Sequence, residues 1–404
     1  MLLALAAMFF VACGPTSALR TLGASRITPY ERYAQSLRDA GIDQTGMGRE
    51  WLAASDSALR TPLAATLPSR EVGWYTRGEA RAVAYQLTIP GGQRLRATLR
   101  GDGQHARYFL DLFEQSDDTT ITFLHRVSAD SLAAPDSAAA VVGLVFEASR
   151  DQRVLIRFQP ELLRGGRYEL TLQAEPTLAF PVSGRGNAAI QSFYGAERDG
   201  GQRDHHGIDI FAPRGTPVLA ATDGVVRSTS PNARGGNVVW LSDSRREQTL
   251  YYAHLDTQFV QGGQQVRTGD TLGLVGNTGN ARTTPPHLHF GIYVSGRGPV
   301  DPLLHVRLVT STMPELRADT GALGRAARTR SAAVTLRAAP NVRGDSIRRL
   351  AGETPLRIMG ASAGWFRVQL ADGTAGYVTT GSVRVTPEPV AVGRSLSGDM
   401  VPER

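Results

Sequence analysis

The stretch 205–226, HHGIDIFAPRGTPVLAATDGVV, decides how the chain is read, together with YYAHL at 251–255 and GNTGNARTTPPHLHFGIY at 276–293. These segments hold five of the chain's eight histidines. His205 and Asp209 are four apart, with Gly207 between them to let the backbone bend. One helix turn, or one face of a bent strand, would bring both side chains to a point. Pro286-His287-Leu288-His289-Phe290 reads as a strand. On it His287 and His289 share a face, ~6.6 Å apart along the chain at ~3.3 Å per residue. Two imidazoles so placed cannot both ligate one ion without bending, which favours one that binds and one that catalyses. Zinc suits His and Asp donors, and a catalytic site supplies three protein ligands while keeping one position open. Two neutral His and one Asp leave the ion net positive, so its water stays acidic enough to ionise near neutral pH. No His-Glu-x-x-His stretch occurs in the chain, which excludes the helical zincin arrangement.

In their order and spacing, the three segments resemble the lysostaphin-type, or LytM-type, zinc peptidoglycan endopeptidases over roughly residues 190–305. The resemblance implies an antiparallel β-sheet peptidase domain holding one zinc ion per chain. Carried over residue by residue, it implies His205, Asp209 and His289 as the metal ligands, with His206 at the family's variable position. It also implies that His287 and His254 activate the water and stabilise the tetrahedral oxyanion. His287 would take the proton and return it to the leaving amine, and a protonated His254 would donate to the developing oxyanion. Gly291 stands where the family often has Glu, which bears on the shape of the groove. Tyr252 alternates with Leu250 and His254, and either lines that groove or packs in the core. Asn277 and Asn280 sit in a Gly-Asn turn, where asparagine either serves left-handed geometry alone or touches substrate.

Outward from this centre the chain is expected to be mainly β. Residues 20–70 form a helical segment, with Tyr30, Tyr33, Ala34 and Leu37 at i, i+3, i+4, i+7 and Gly41 as a stop. Residues 71–182 alternate with period two in short runs such as AVAYQLTI and QRVLIRFQ, the pattern of a β-sandwich. The peptidase domain is expected over 183–307, followed by an Ala/Arg-rich linker with helical tendency over 308–330. Residues 331–386 resemble a bacterial SH3-like barrel through Leu336-Arg337, Gly352-Glu353, Gly364-Trp365 and Gly376-Tyr377-Val378. Such barrels often hold cell-wall peptides in an aromatic groove, so Trp365 is either a groove aromatic or a core residue. A disordered tail is expected over 387–404.

Residues 1–12 are an unbroken apolar run, too short to span a bilayer but of signal-core length, and Cys13 follows it as in a bacterial lipobox. Residues 1–19 are therefore expected to be a signal peptide, with Cys13 as a lipid attachment point. That single cysteine excludes an internal disulfide framework and Cys-rich zinc modules. The net charge of +7 comes from arginine alone, since the chain has no lysine. These arginines are scattered without a basic block or aromatic interleaving, which argues against a nucleic-acid partner. His105, His125 and His305 lie outside the motifs and read as structural. The expectation is an exported, monomeric zinc endopeptidase of the cell envelope that cuts peptidoglycan stem-peptide cross-links, with membrane contact only through the lipid. The alternative is a non-catalytic LytM-like regulator that binds wall or activates an amidase. Such regulators typically lack zinc ligands that are all present here.

Overall fold

Two helices open the part of the chain that the computed structural model describes, which comprises residues 27–102, 107–115, 126–130, 139–308 and 312–387. The apolar leader, Cys13, His105, His125 and residues 388–404 lie outside it. Helix α1, Pro29–Asp39, starts with a capping box in which Thr28 and Glu31 satisfy each other's backbone N–H. Gly41 at φ 69° turns the chain toward α2, Gly46–Arg60. Tyr30, Ala34 and Leu37 form the buried face of α1 and meet Trp51 and Phe109.

The helices cover one sheet of a β-sandwich. That sheet contains Leu63–Ala64, Val83–Ile89, Gln152–Pro160, Tyr108–Gln115 and Arg126–Asp130, in this spatial order. The opposing layer contains Ser69–Tyr75, Gly166–Pro176, Gln93–Asp102 and Ala139–Glu147. Period-two alternation explains the core between them: Leu95, Ala97 and Leu99 point inward with Leu170 and Leu172, while Arg96 and Glu175 pair on the outer face.

The second layer does not end with the sandwich. Strand Ser69–Tyr75 also pairs with Pro355–Ser362 of the C-terminal barrel, Val72 opposite Ala361, so the two units share an 11-stranded sheet. Beneath this junction Glu71 is buried. Its Oε1 accepts from Tyr85 at 2.7 Å, Tyr168 at 3.0 Å and Arg367 Nε at 2.9 Å, and its Oε2 accepts from Tyr377 at 2.7 Å. Burial pushes the three hydroxyls far above the usual tyrosine range, so they remain donors. Trp365 and Tyr377 pack against the sandwich core. Trp365 is thus half-buried at the junction with the sandwich and is not part of the barrel's own core.

The expected linker also needs correction. Residues 308–330 contain no α-helix among the described residues; Ala318 and Ala322 pack into the barrel, and Ala326–Thr329 is one of its strands. Pairing with Val383–Val385 and Pro355–Ser362 overrides the helical propensity of an Ala/Arg composition.

Between sandwich and barrel the chain forms a separate sheet. Its central order is Ile190–Ser192, Ile208–Phe211, His287–Val294, Gln248–Gln258, Asn237–Asp243, Gly224–Ser228 and Gln265–Val266. One face is apolar, with Ile208, Ile210, Leu250, Leu288, Phe290 and Ile292 buried. This unit meets the sandwich where Leu178 N donates to the His305 carbonyl at 2.9 Å and the Thr177 hydroxyl accepts His305 Nδ1–H at 3.0 Å. A second contact is the two-pronged Arg246–Glu147 pair, at 2.8 and 2.9 Å.

Candidate metal centre

Register places the other face of this sheet at the floor of a cleft of about 890 Å³. Asp209 lies directly opposite His289, and His289 lies opposite Ala253. Residues facing across paired strands point to the same side, so Asp209, His289, His287, Ala253 and Tyr251 all look into the cleft. Of the two geometries open for the His205–Asp209 spacing, the structure has the strand: His205 sits just ahead of Ile208–Phe211 and Asp209 is in it.

Three donor atoms converge. His205 Nε2 lies 3.0 Å from Asp209 Oδ1 and 2.9 Å from His289 Nδ1, and His289 Nδ1 lies 3.0 Å from the same Oδ1. The edge of a tetrahedron with ~2.05 Å bonds is ~3.3 Å, so a small expansion of this triangle accommodates a metal ion. His205 Nδ1 donates to the Phe193 carbonyl at 2.8 Å, which leaves Nε2 as a bare lone pair in the neutral ring. A lone pair, a carboxylate and a second imidazole nitrogen facing one point need a cation between them. Burial alone would push the Asp209 carboxyl up, but in the metal-free protein His205 and His289 can take up protons and donate to it, which outweighs burial and holds it far below the usual carboxylate range.

Gly207 serves a different purpose from the one its position suggests. Its φ is not left-handed; instead a Cβ there would lie 2.5 Å from the Phe290 carbonyl and 2.8 Å from the His289 ring. Glycine is required because the Phe290 carbonyl and the His289 ring fill the space a Cβ would take.

His254 and His287 complete the floor, their rings 5.1 Å apart. His287 Nδ1 donates to the Pro285 carbonyl at 2.8 Å and His254 Nδ1 to the Thr278 carbonyl at 2.9 Å, so in both neutral rings Nε2 is the acceptor. Burial, reinforced by His287 and His289, pushes the His254 imidazole down to about 4.

Strict alternation would turn His254 to the core with Tyr252 and Leu250. A left-handed φ of 64° at His254 and a register shift just beyond it bring the ring to the cleft side instead. Tyr252 is fully buried, and its hydroxyl accepts from Ala221 N at 2.9 Å, so it belongs to the core. The cleft aromatics include Phe211, stacked 5.0 Å from His287, and a cluster of Tyr251, Trp240 and Tyr293, with Trp240 4.2 Å from Tyr251 and 5.3 Å from Tyr293 between ring centres. Sequence reasoning missed all four; for Tyr251 the signal was its phase with Ala253, which the kink at His254 obscures. Asn280 lines the cleft, whereas the Asn277 amide donates to the Arg282 and Thr284 carbonyls of its own loop and its oxygen accepts from Arg214. His206 lies at the rim, and His305 is in the domain contact away from the cleft. Among the described residues, everything lining the cleft falls between Ser192 and Tyr293, so neither sandwich nor barrel enters it.

Residues 203–302 match the family described as Peptidase family M23, and residues 332–384 match Bacterial SH3 domain. The peptidoglycan DD-endopeptidase ShyC of Vibrio cholerae is 39% identical over 117 residues, 29% of this chain and 25% of that protein. The DD-carboxypeptidase/endopeptidase Mpg of Neisseria meningitidis is 44% identical over 101 residues, 25% of this chain and 22% of that protein. The solved catalytic domain of lysostaphin from Staphylococcus simulans is 32% identical, with 28% of this chain and 87% of that one covered and a TM-score of 0.26. The chain spans about a quarter of the length of the first two proteins. Residues 203–302 are thus an M23 metallopeptidase domain, and 332–384 a bacterial SH3 domain.

Proposed function

We propose that the protein is an exported zinc metalloendopeptidase that hydrolyses peptide cross-links of bacterial peptidoglycan. The observation that carries this reading is the triangle of His205 Nε2, Asp209 Oδ1 and His289 Nδ1 beside two acceptor imidazoles in an open cleft. These three residues would hold the zinc ion, which when bound supplies Lewis acidity to polarise the scissile carbonyl and acidify water. Its charge balance suits two neutral imidazoles and one carboxylate.

His287 and His254 do the proton work. Each has Nδ1 tied to a backbone carbonyl, which fixes ring orientation and leaves Nε2 to accept a proton from the attacking water. His254, held neutral near pH 7, begins as an acceptor rather than as the oxyanion donor expected from the family. The ring that has taken the proton becomes a donor, first to the developing oxyanion and then to the leaving amine. The aromatic wall of Trp240, Tyr251 and Tyr293 gives an extended peptide a flat surface to lie on. All five residues are in place, which does not favour the non-catalytic alternative.

Purified full-length protein should bind about one zinc per chain and release cross-linked stem peptides from purified wall, read by mass spectrometry of the muropeptides. A chain that binds zinc yet leaves the cross-links intact would return the regulator reading. For localisation, no helix among the described residues is long and apolar enough to cross a membrane. We assign envelope attachment to Cys13, and Cys13→Ser should move the protein from the detergent phase to the soluble fraction.

A further inference from the structure

Glu197–Arg198 and Arg203–Asp204 form a two-stranded ribbon immediately before the metal-facing residues, Arg198 opposite Arg203. The ribbon continues into His205, whose N–H donates to the Ala196 carbonyl at 2.9 Å while Gly195 N donates to the His205 carbonyl at 2.8 Å. The same ladder therefore fixes the backbones of Arg198 and His205. The Arg198 guanidinium reaches into the cleft and donates through Nη2 to Asp209 Oδ2 at 3.0 Å and to the Ser192 hydroxyl. Ser192 lies opposite Asp209 in the sheet, and its Oγ is 3.3 Å from His205 Nδ1.

The two oxygens of Asp209 thus have separate duties. Oδ1 faces His205 Nε2 and His289 Nδ1, whereas Oδ2 is held by Arg198. Resting on the metallopeptidase reading above, we propose that Arg198, braced by Ser192, is a positioning residue that makes Asp209 a one-oxygen ligand. With Oδ2 released, the carboxylate is free to swing and present both oxygens. That arrangement would occupy the position a catalytic site keeps open for water. Fixing a ligand by a hydrogen bond to its far atom is the usual work of outer-sphere groups, and losing one costs ~10–100-fold in metal affinity or activity.

The test uses the full chain, stripped of metal and titrated with Zn²⁺ against a chelator and with Co²⁺ followed by visible absorption. Arg198→Gln should lower Zn²⁺ affinity ~10–100-fold. It should also shift and weaken the Co²⁺ bands as the coordination number rises, with the metal-free melting temperature unchanged. Arg198→Lys, with one compact donor group, should restore part of both. Wild-type affinity and an unaltered Co²⁺ spectrum in Arg198→Gln would overturn this inference alone. If that variant does not fold, Ser192→Ala takes its place: a few-fold loss with the same spectral direction supports the positioning role, and no change overturns it. A wild-type chain that takes up neither ion overturns the metallopeptidase reading and this inference with it.

Discussion

Gly207→Ala tests the metal centre through a single added methyl group. The new Cβ would stand 2.8 Å from Cε1 and Nε2 of His289, where 3.4 Å is ordinary contact, so the ring must retreat about 0.6 Å. Ring movement does not relieve the second clash, 2.5 Å from the Phe290 carbonyl, so the strand that carries His289, paired on both sides, must also be pushed away. Metal–ligand distances tolerate only about ±0.2 Å, so the displaced imidazole falls outside bonding range. Loss of an outer-sphere group already costs ~10–100-fold, and loss of a ligand belongs at or beyond the upper end. The expected result is a drop in Zn²⁺ affinity of about 100-fold or more, measured by chelator competition. An overpacking cost of ~1–3 kcal/mol should appear in the metal-free melting curve. Zn²⁺ affinity within threefold of wild type would show that His289 is not held where the ligand geometry needs it.

Three further outcomes follow from other parts of the molecule. His287→Ala should keep stoichiometric zinc and lose cross-link cleavage by ~10²–10⁴-fold; undiminished turnover on wall would remove its proton role. Glu71→Ala strands the buried Arg367 charge and should cost ~3–5 kcal/mol. In calorimetry it should lower one transition shared by sandwich and barrel while the metal-bound peptidase unit melts as before; a barrel that melts separately contradicts the shared sheet. In the metal-free protein His254 titrates at about 4 when folded, against an ordinary value near 6.5. The unfolded chain therefore binds the extra proton between those pH values, and stability falls as pH drops through that window by about 3 kcal/mol. His254→Asn, which tolerates the left-handed backbone, should flatten that limb in urea titrations, and an unchanged limb would disprove the depressed value.

The residues that meet at the metal centre were legible because their chemistry and their spacing coincide. Spacing alone left open which of His287 and His289 binds; the family resemblance singled out His205, Asp209 and His289, and the strand register puts Asp209 beside His289. The helical face of Tyr30, Ala34 and Leu37 and the alternation of Leu95, Ala97 and Leu99 were equally local signals. What escaped depended on one dihedral or on distant pairing. The left-handed turn at His254 reverses which neighbour faces the cleft, exchanging Tyr252 for Tyr251. The pairing of Val72 with Ala361 joins segments far apart in the chain, and no periodicity in either one announces it. Arg198 looked like one scattered arginine among 44 because its importance lies in the carboxylate oxygen it touches.

The shared sheet changes what the central domain is topologically. Sandwich and barrel lie on either side of it in sequence yet form one continuous β unit, so the peptidase is an insertion carried between two halves of a single body. Its entry at Leu178 and its exit at His305 are hydrogen-bonded to each other, which brings both crossings of the chain to one point. The insertion interrupts no strand of its host, and the Glu147–Arg246 pair holds it to the sandwich at a second place, so one continuous body carries the cleft from two supports.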